Sequence, residues 1–591
     1  MLGYSDSRTD DRTHTPALHR TRGSNHFVPM VVLAAISLVV LSSCKSNESP
    51  KRAKYSPRSV TQVLKVPLAS LQPAIAARIG REDRPAWVTP DRWARVRGVY
   101  SVFENSPLWL EADGVKDRAD ALLAALRSAP ADGLDATAYP VSEIAALVNA
   151  NRLTDTASAG TLADADVLLT SAYVAYAADM LVGQVDPRTL SQAWNIPAIP
   201  RELDSAVVRG IELADMKESL AAMAPQDPDY AALKRAYARY LKTAADGGWP
   251  IVTTADAAAG ATALQTRLAA ELVADDSARS DTRGADSVVT AAPLAKSSPG
   301  SAKTKTKADA PVAVAGPQLT TLLAQFQERH GLLRTGKLDK PTLAALNVSA
   351  GDRAKQIAAN LERHRWLPRS LGSRYVYVNV PAFRLDAYDS GQKTLSMKVV
   401  VGAEYEGRVT PVFSDSMETV AFRPYWNIPP SIQRKEIVPK LASDPGYLSR
   451  ENMEWYNDGG TRRIRQRPGD KNSLGLVKFL FPNNFNIYLH DTPAKSLFAK
   501  TDRAASHGCI RLEKPAELAQ WVLGWDSARV TGLMNGADDN KQVKVSPKIP
   551  VYIVYFTAYF RDGQLFFSDD IYNRDEKLEN EVAAAVPVGT N

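Results

Sequence analysis

The apolar pattern of the chain changes period near residue 375, and that change divides any fold it can adopt into two kinds of structure. Before it, apolar residues recur at three- and four-residue spacing, as in the run 167–181 (VLLTSAYVAYAADML) and in Leu319, Leu322, Leu323 and Phe326. Stripes of that kind belong to helices that bury one face. After it come short β-branched and aromatic runs at 375–380, 395–401, 485–490 and 551–559, bounded by Gly, Pro and Asn, which predict strands. One helix interrupts them, over 515–523, burying Leu518, Trp521 and Val522. A chain of 591 residues is too long for one core, so the predicted class is multidomain α+β.

Only two cysteines occur, Cys44 and Cys509, which removes a disulfide framework and any multi-cysteine metal site. Each then needs its own explanation. Cys44 ends an export signal: Arg12, Arg20 and Arg22 precede an apolar run at 27–41 that is short for a membrane span. The run closes on Leu41, Ser42, Ser43 and Cys44, which resembles the bacterial lipobox. Residues 1–43 thus read as a lipoprotein signal peptide, Cys44 as the lipidation site, and 44–59 as a polar tether, with an uncleaved anchor helix as the alternative. Either way the rest faces a cell envelope, and on the lipobox reading it is periplasmic, lipid-anchored to the inner or outer membrane. The net charge of +7 favours anionic surroundings, but nothing resembles a nucleic-acid motif, and nothing calls for a cofactor or a metal.

Residues 60–255 predict a helical scaffold without a catalytic cluster. Residues 256–348 predict a small domain of three helices: 257–273, the Leu319 stripe, and a short helix opened by Asp339 with Pro341 in its first turn. Its linker, 276–316, has almost no large apolar residues and is expected to be disordered. A mainly β catalytic domain follows at 349–575, interrupted at about 430–465 by charged, helix-like sequence, and 576–591 is expected to be a tail.

Chemistry concentrates where Tyr488, Leu489, His490 and Asp491 are followed by Ser506, His507, Gly508, Cys509, Ile510 and Arg511. Of seven histidines, two lie close to Cys509. A free thiol is only slightly ionised at neutral pH, so a nucleophilic cysteine needs a positioned base or a cation beside it. His490, ending a strand, can be that base for Cys509. His507, two residues before the cysteine, points the same way in an extended segment, and either orients the loop or polarises a substrate carbonyl. Gly508 lets backbone approach a substrate, which makes the N–H groups of Gly508 and Cys509 candidates for an oxyanion hole. Against all this stands the plain reading of a lone cysteine as a small buried hydrophobe.

The spacing from His490 to the Ser-His-Gly-Cys-Ile-Arg run resembles the signature of the L,D-transpeptidases, with their YkuD-type catalytic domain. The longer run 465–519, with NLERHRWLP (360–368), FRPYWNIPPSIQRKEIVPKL (422–441) and VYIVYFTAYFRDGQLFFSDDIYNRD (551–575), is similar to their large periplasmic, YcbB-like subclass. FQERHGLLRTGKLDKPTLAALN (326–347) resembles the three-helix peptidoglycan-binding domain. The resemblance implies that Cys509 attacks a peptidoglycan tetrapeptide stem while His490 takes its proton, with Ser506, His507 and Gly508 shaping the site. It implies loss of D-alanine, a thioester, and a 3→3 cross-link to an acceptor amine, as well as acylation by carbapenems. Arg511 matches a family Arg or Asn position, read either as substrate-binding or as a loop-holding salt bridge. Tyr488 and Asp491 join the substrate-side set, Asp491 orienting His490 through its carboxylate or its carbonyl. The 430–465 insert matches the capping subdomain of the subclass.

A papain-like or NlpC-type peptidase places its histidine after the cysteine, and none follows His507 here. Within the same fold, water as acceptor gives an L,D-carboxypeptidase and a protein amine gives wall attachment. A peptidoglycan-binding lipoprotein without catalysis is the rival from another class. No motif names a protein partner.

Overall fold

The computed structural model describes residues 60–582 except 82, 116, 150–155, 191–193, 197–199, 260–261, 281–311, 314–315 and 405–407. The export segment, Cys44, the tether and most of the expected linker therefore lie outside the described residues.

The helical half is organised around Ala159–Val182, which is apolar on every side and so must be wrapped by other elements. Ser158 caps its start by accepting from Thr161 N, and Gly183, at φ 91°, ends it. Among the described residues it is the one helix long and apolar enough to cross a membrane, yet 83% of its apolar window is buried in protein. Helices Leu68–Ile79, Pro90–Val102, Asp117–Ser128, Pro200–Ile211 and Met216–Met223 surround it. Its buried Asp166 accepts from Tyr100 Oη at 2.6 Å and from the backbone N–H groups of Leu108 (3.0 Å) and Trp109 (2.9 Å), which fastens the 106–110 turn to the core.

The small domain forms from Thr262–Ser280, Pro317–Arg329 and Lys340–Leu346, packing Leu264, Leu268, Leu319, Leu323, Phe326 and Leu346 together. Its first predicted helix is really two, Thr254–Ala259 and Thr262–Ser280, and the second runs past the expected linker start at 276. The domain docks firmly. His330 stacks between Phe326 and Phe567, with centroids at 4.0 and 5.4 Å, and hydrogen-bonds Glu271 at 2.5 Å.

The β half is a ten-stranded sheet whose path runs Val477–Leu480, Leu489–His490, Ile510–Leu512, Gln392–Gly402, Arg384–Asp389, Arg374–Asn379, Lys541–Val554, Val412–Phe422 and Trp194–Asn195, with Ala504–Ser506 pairing Gln392–Gly402 off that path. Val412–Phe422 pairs back with Val477–Leu480, so the sheet closes on itself around a core that includes Val399, Val420, Phe479, Leu489 and Ile553. The helix predicted over 515–523 forms as Pro515–Leu523 and buries Leu518 and Val522, with Trp521 only partly covered. Two elements depart from the sequence reading. Helix Pro228–Ala245, counted there with the scaffold, packs Leu233, Tyr237 and Tyr240 into the core of the β half. The expected tail from 576 begins as helix Asp575–Val582, because Leu578 and Val582 find buried places against Ala350–Arg365.

The insert has a core of its own, made of Ile428, Ile432, Ile437 and Ile464. It is a three-stranded sheet, Trp426–Asn427, Thr461–Gln466 and Met453–Asp458, plus a helical segment at 430–443 with a π-turn at Gln433–Ile437. It thus starts a few residues before the predicted 430.

Candidate active site

Strand register decides which side chains share the candidate site. Leu489–His490 runs parallel to Ile510–Leu512, with His490 opposite Arg511, and antiparallel to Val477–Leu480, with Lys478 opposite His490. Because side chains alternate along a strand, Lys478, His490 and Arg511 form one row on the face away from the core. Tyr488 and Cys509 lie two residues back, on the same face, and Ile510 N donates to Tyr488 O at 3.1 Å to hold that alignment. Tyr488 and His490 rings meet edge-on at 5.7 Å, and Lys478 Nζ sits 3.7 Å from the centre of the Tyr488 ring.

Cys509 ends a short loop that is fixed from within. Ser506 Oγ donates to Cys509 O at 2.6 Å and accepts from Gly508 N at 3.1 Å. Thr410 Oγ1 donates to Gly508 O at 2.8 Å, and the Tyr572 hydroxyl in turn supports Thr410 N at 3.1 Å. Gly508 has φ 111°, and a Cβ there would press on Ile487 Cδ1 at 3.1 Å, so both conformation and space require glycine. Its N–H is used inside the loop. Of the two amides expected at an oxyanion hole, only Cys509 N–H is without a partner among the described residues.

The thiol is partly exposed and donates to Asn486 O at 3.5 Å. Both the Tyr488 hydroxyl and its backbone N–H hydrogen-bond the sulfur, while Trp426 of the insert hydrogen-bonds that same hydroxyl. Burial pushes the Cys509 thiol up despite these contacts and the nearby charges of Lys478 and Arg511. His490 is buried and brought down to about 3, first by burial and then by Arg511 and Lys478. The resting pair is therefore neutral thiol and neutral imidazole, sharing one face but not hydrogen-bonded to each other.

Asp491 orients His490 through its carbonyl, which accepts from Nδ1 at 2.5 Å; the Leu474 carbonyl also contacts the ring. That tautomer leaves Nε2 able to accept a proton. The Asp491 carboxylate serves the turn instead, accepting from Leu476 N (2.9 Å), Thr492 N (2.7 Å) and Lys495 Nζ (2.6 Å). His507 does not join the sulfur. With Gly508 breaking the alternation, its Nε2 meets Glu436 of the insert at 2.7 Å, and Arg408 reaches the same carboxylate at 3.1 Å. His507 accordingly ties the cysteine loop to the insert. Among the described residues the Arg511 side chain makes no salt bridge or hydrogen bond. Sequence reasoning missed Lys478, Trp426 and Asn486. For Lys478 the signal was its place in the alternating run 477–480, but the row it joins becomes visible only with the register.

What these elements define is a helical scaffold carrying a closed, mainly β catalytic domain. Residues 94–236 match the scaffold-domain family, and residues 373–553 match the L,D-transpeptidase catalytic domain (YkuD). Residues 373–553 are thus similar to the L,D-transpeptidase catalytic domain, and they contain His490 and Cys509. A curated Haemophilus influenzae protein, provisionally named an L,D-transpeptidase, is 30% identical over 258 residues, covering 40% of this chain and 50% of the relative. The chain thus spans about half the length of that relative. Among solved structures, an L,D-transpeptidase of Xylanimonas cellulosilytica is 16% identical, covering 40% of this chain and 79% of its own, with a TM-score of 0.15. A second, titled as the Ldtfm-avibactam carbamoyl enzyme, is 12% identical, covering 32% and 51%, with the same TM-score of 0.15.

Proposed function

We propose that this chain cross-links peptidoglycan by cysteine acyl transfer, with Cys509 as nucleophile and His490 as general base. The observation that carries the reading is the shared outward face of Tyr488, His490 and Cys509, with Cys509 partly exposed and its N–H without a partner among the described residues.

In the first step the thiol proton passes to His490 Nε2 as sulfur attacks the carbonyl of the third stem residue. The oxyanion takes hydrogen bonds from Cys509 N–H and the Tyr488 hydroxyl. Collapse breaks the C–N bond, His490 returns its proton to the departing D-alanine amine, and a thioester remains. In the second step an acceptor amine attacks the thioester and gives its proton to His490, which passes it to the released sulfur, leaving a 3→3 amide. A carbapenem acylates the same sulfur. The insert lies against this loop through His507 and Glu436, and its Trp426 holds the Tyr488 hydroxyl, a placement suited to retaining a donor stem. In this reading Cys44 carries a lipid anchor in a Gram-negative envelope, and the small three-helix domain docks on peptidoglycan.

Incubation of the full chain in detergent with sacculi rich in tetrapeptide stems tests this directly. The expected products are 3→3 dimers and free D-alanine in equal amounts. D-alanine with tripeptides but no dimers would make water the acceptor. Unchanged sacculi that nevertheless retain the protein would reduce it to a binding lipoprotein.

A further inference from the structure

Lys478 and Arg511 are cations on the candidate site's face, both half-buried, and neither has an acidic partner among the described residues. Charges withdrawn from water are ordinarily paired, because an unpaired one loses hydration without compensation. Nor are these two at random positions. They flank His490 in one row, Lys478 from strand Val477–Leu480 and Arg511 from strand Ile510–Leu512, and both lie close enough to Cys509 to interact with it. Lys478 is also held in place, its ammonium resting on the Tyr488 ring at 3.7 Å while that ring's hydroxyl hydrogen-bonds the sulfur. The other groups facing the row are Tyr488, Cys509 and the carbonyls of Asp491 and Leu474, none of them anionic in the resting state. The missing partner is an anion supplied from outside.

We propose that Lys478, together with Arg511, is the carboxylate-recognition residue of the donor site, holding a carboxylate of the stem peptide beside Cys509. This rests on the donor-stem reading above and adds a residue and a ligand chemistry to it. Lys478 supplies a point charge and Arg511 a fork, so one carboxylate can bridge them across the His490 row. Binding has a second consequence. The two positive charges that disfavour protonation of His490 are neutralised by the bound anion, so the imidazole becomes a better acceptor for the Cys509 proton once a donor is seated. A donor without its carboxylate leaves the base weak. Lys478 therefore acts on the reaction by position and charge, and needs to give up no proton itself.

Alkylation of Cys509 in the full chain tests carboxylate capture without requiring turnover. Iodoacetate carries a carboxylate and iodoacetamide does not, while both transfer a carbon to sulfur with loss of iodide. The ratio of their rates, divided by the same ratio for a small free thiol, is expected to be about ten in the wild type, one charge-assisted contact's worth. Lys478→Met and Lys478→Gln should each bring it to near one, and Lys478→Arg should preserve it, with melting curves showing that the variants fold. An unchanged ratio in both neutral variants overturns the proposal. D-alanine release from a tetrapeptide and from its C-terminal amide forms a separate arm. If the ratio responds to Lys478 but no D-alanine is ever released, carboxylate capture stands and the transpeptidase reading of the site fails.

Discussion

His490→Gln is expected to slow acyl transfer about 10²- to 10⁴-fold, the usual worth of a positioned general base, while leaving Cys509 alkylatable. Glutamine keeps an amide group where the ring nitrogen stood against Asp491 O, but it has no basic nitrogen to take the thiol proton. Two pH experiments extend the expectation. Because burial raises the Cys509 thiol and His490 is held down to about 3, no thiolate–imidazolium pair exists in the free protein. Its iodoacetamide rate should climb steadily into the alkaline range, without the plateau at neutral pH that such a pair produces. For stability the sign runs the other way from a salt-bridged histidine. An imidazole depressed on folding binds its proton more readily in the unfolded chain, so its contribution is intact above the ordinary value near 6.5 and is lost as pH falls toward about 3. Wild type should therefore lose more urea resistance between pH 7 and 4.5 than His490→Gln does. Equal losses would mean that His490 is not buried as a neutral ring.

Glu362→Leu should be the most destabilising substitution away from the site, by about 3–5 kcal/mol, because it strands a buried guanidinium. Glu362 and Arg365 are both fully buried, and Arg365 Nη2 meets Glu362 Oε2 at 2.6 Å. The other carboxylate oxygen accepts from Val185 N at 2.8 Å, and Arg365 Nη1 donates to Asp132 O at 2.9 Å and Tyr230 Oη at 3.0 Å. One ion pair thus joins helix Ala350–Arg365 to the scaffold turn after Gly183 and to helix Pro228–Ala245. With leucine, Arg365 keeps two neutral acceptors and loses its counter-charge. Replacing Arg365 by leucine as well should recover much of the loss, since the pair spends most of its attraction on desolvation. Denaturant midpoints of the single and double variants measure both effects. A single-variant cost below about 1 kcal/mol would show that water reaches Arg365.

The parts of the molecule legible in the sequence were those determined locally. Helix Pro515–Leu523 could be read from its proline start and apolar spacing, and the strands beginning near 375 and 395 from their alternation. The run 485–490 could not be read so simply, for it yields only the strand Leu489–His490. There Asn483 Oδ1 accepts from the N–H groups of Phe485 and Ile487, both at 3.1 Å, so a side chain takes amides that a ladder would otherwise use. Helix Asp575–Val582 was missed for another reason. Only Leu578 and Val582 mark an apolar face, and its start is fixed by distant partners, Arg363 at 2.6 Å and Thr557 Oγ1 at 2.6 Å from the Asp575 carboxylate. In the site, residue types and spacing singled out Cys509 and His490, but not that Gly508 N–H is spent on Ser506 or that His507 faces Glu436. Lys478 was invisible for the same reason, since its neighbours come from strands that pair only in three dimensions.

Acylation of the sulfur is the step from which everything else follows. Intact mass of the full chain after reaction with a carbapenem, followed by peptide mapping, measures it directly. The expected result is a single adduct on Cys509, labile to hydroxylamine as a thioester is, and absent from a folded Cys509→Ala variant. An adduct that persists in Cys509→Ala, or a folded wild type that never acquires one, would contradict the assignment of that sulfur as the nucleophile.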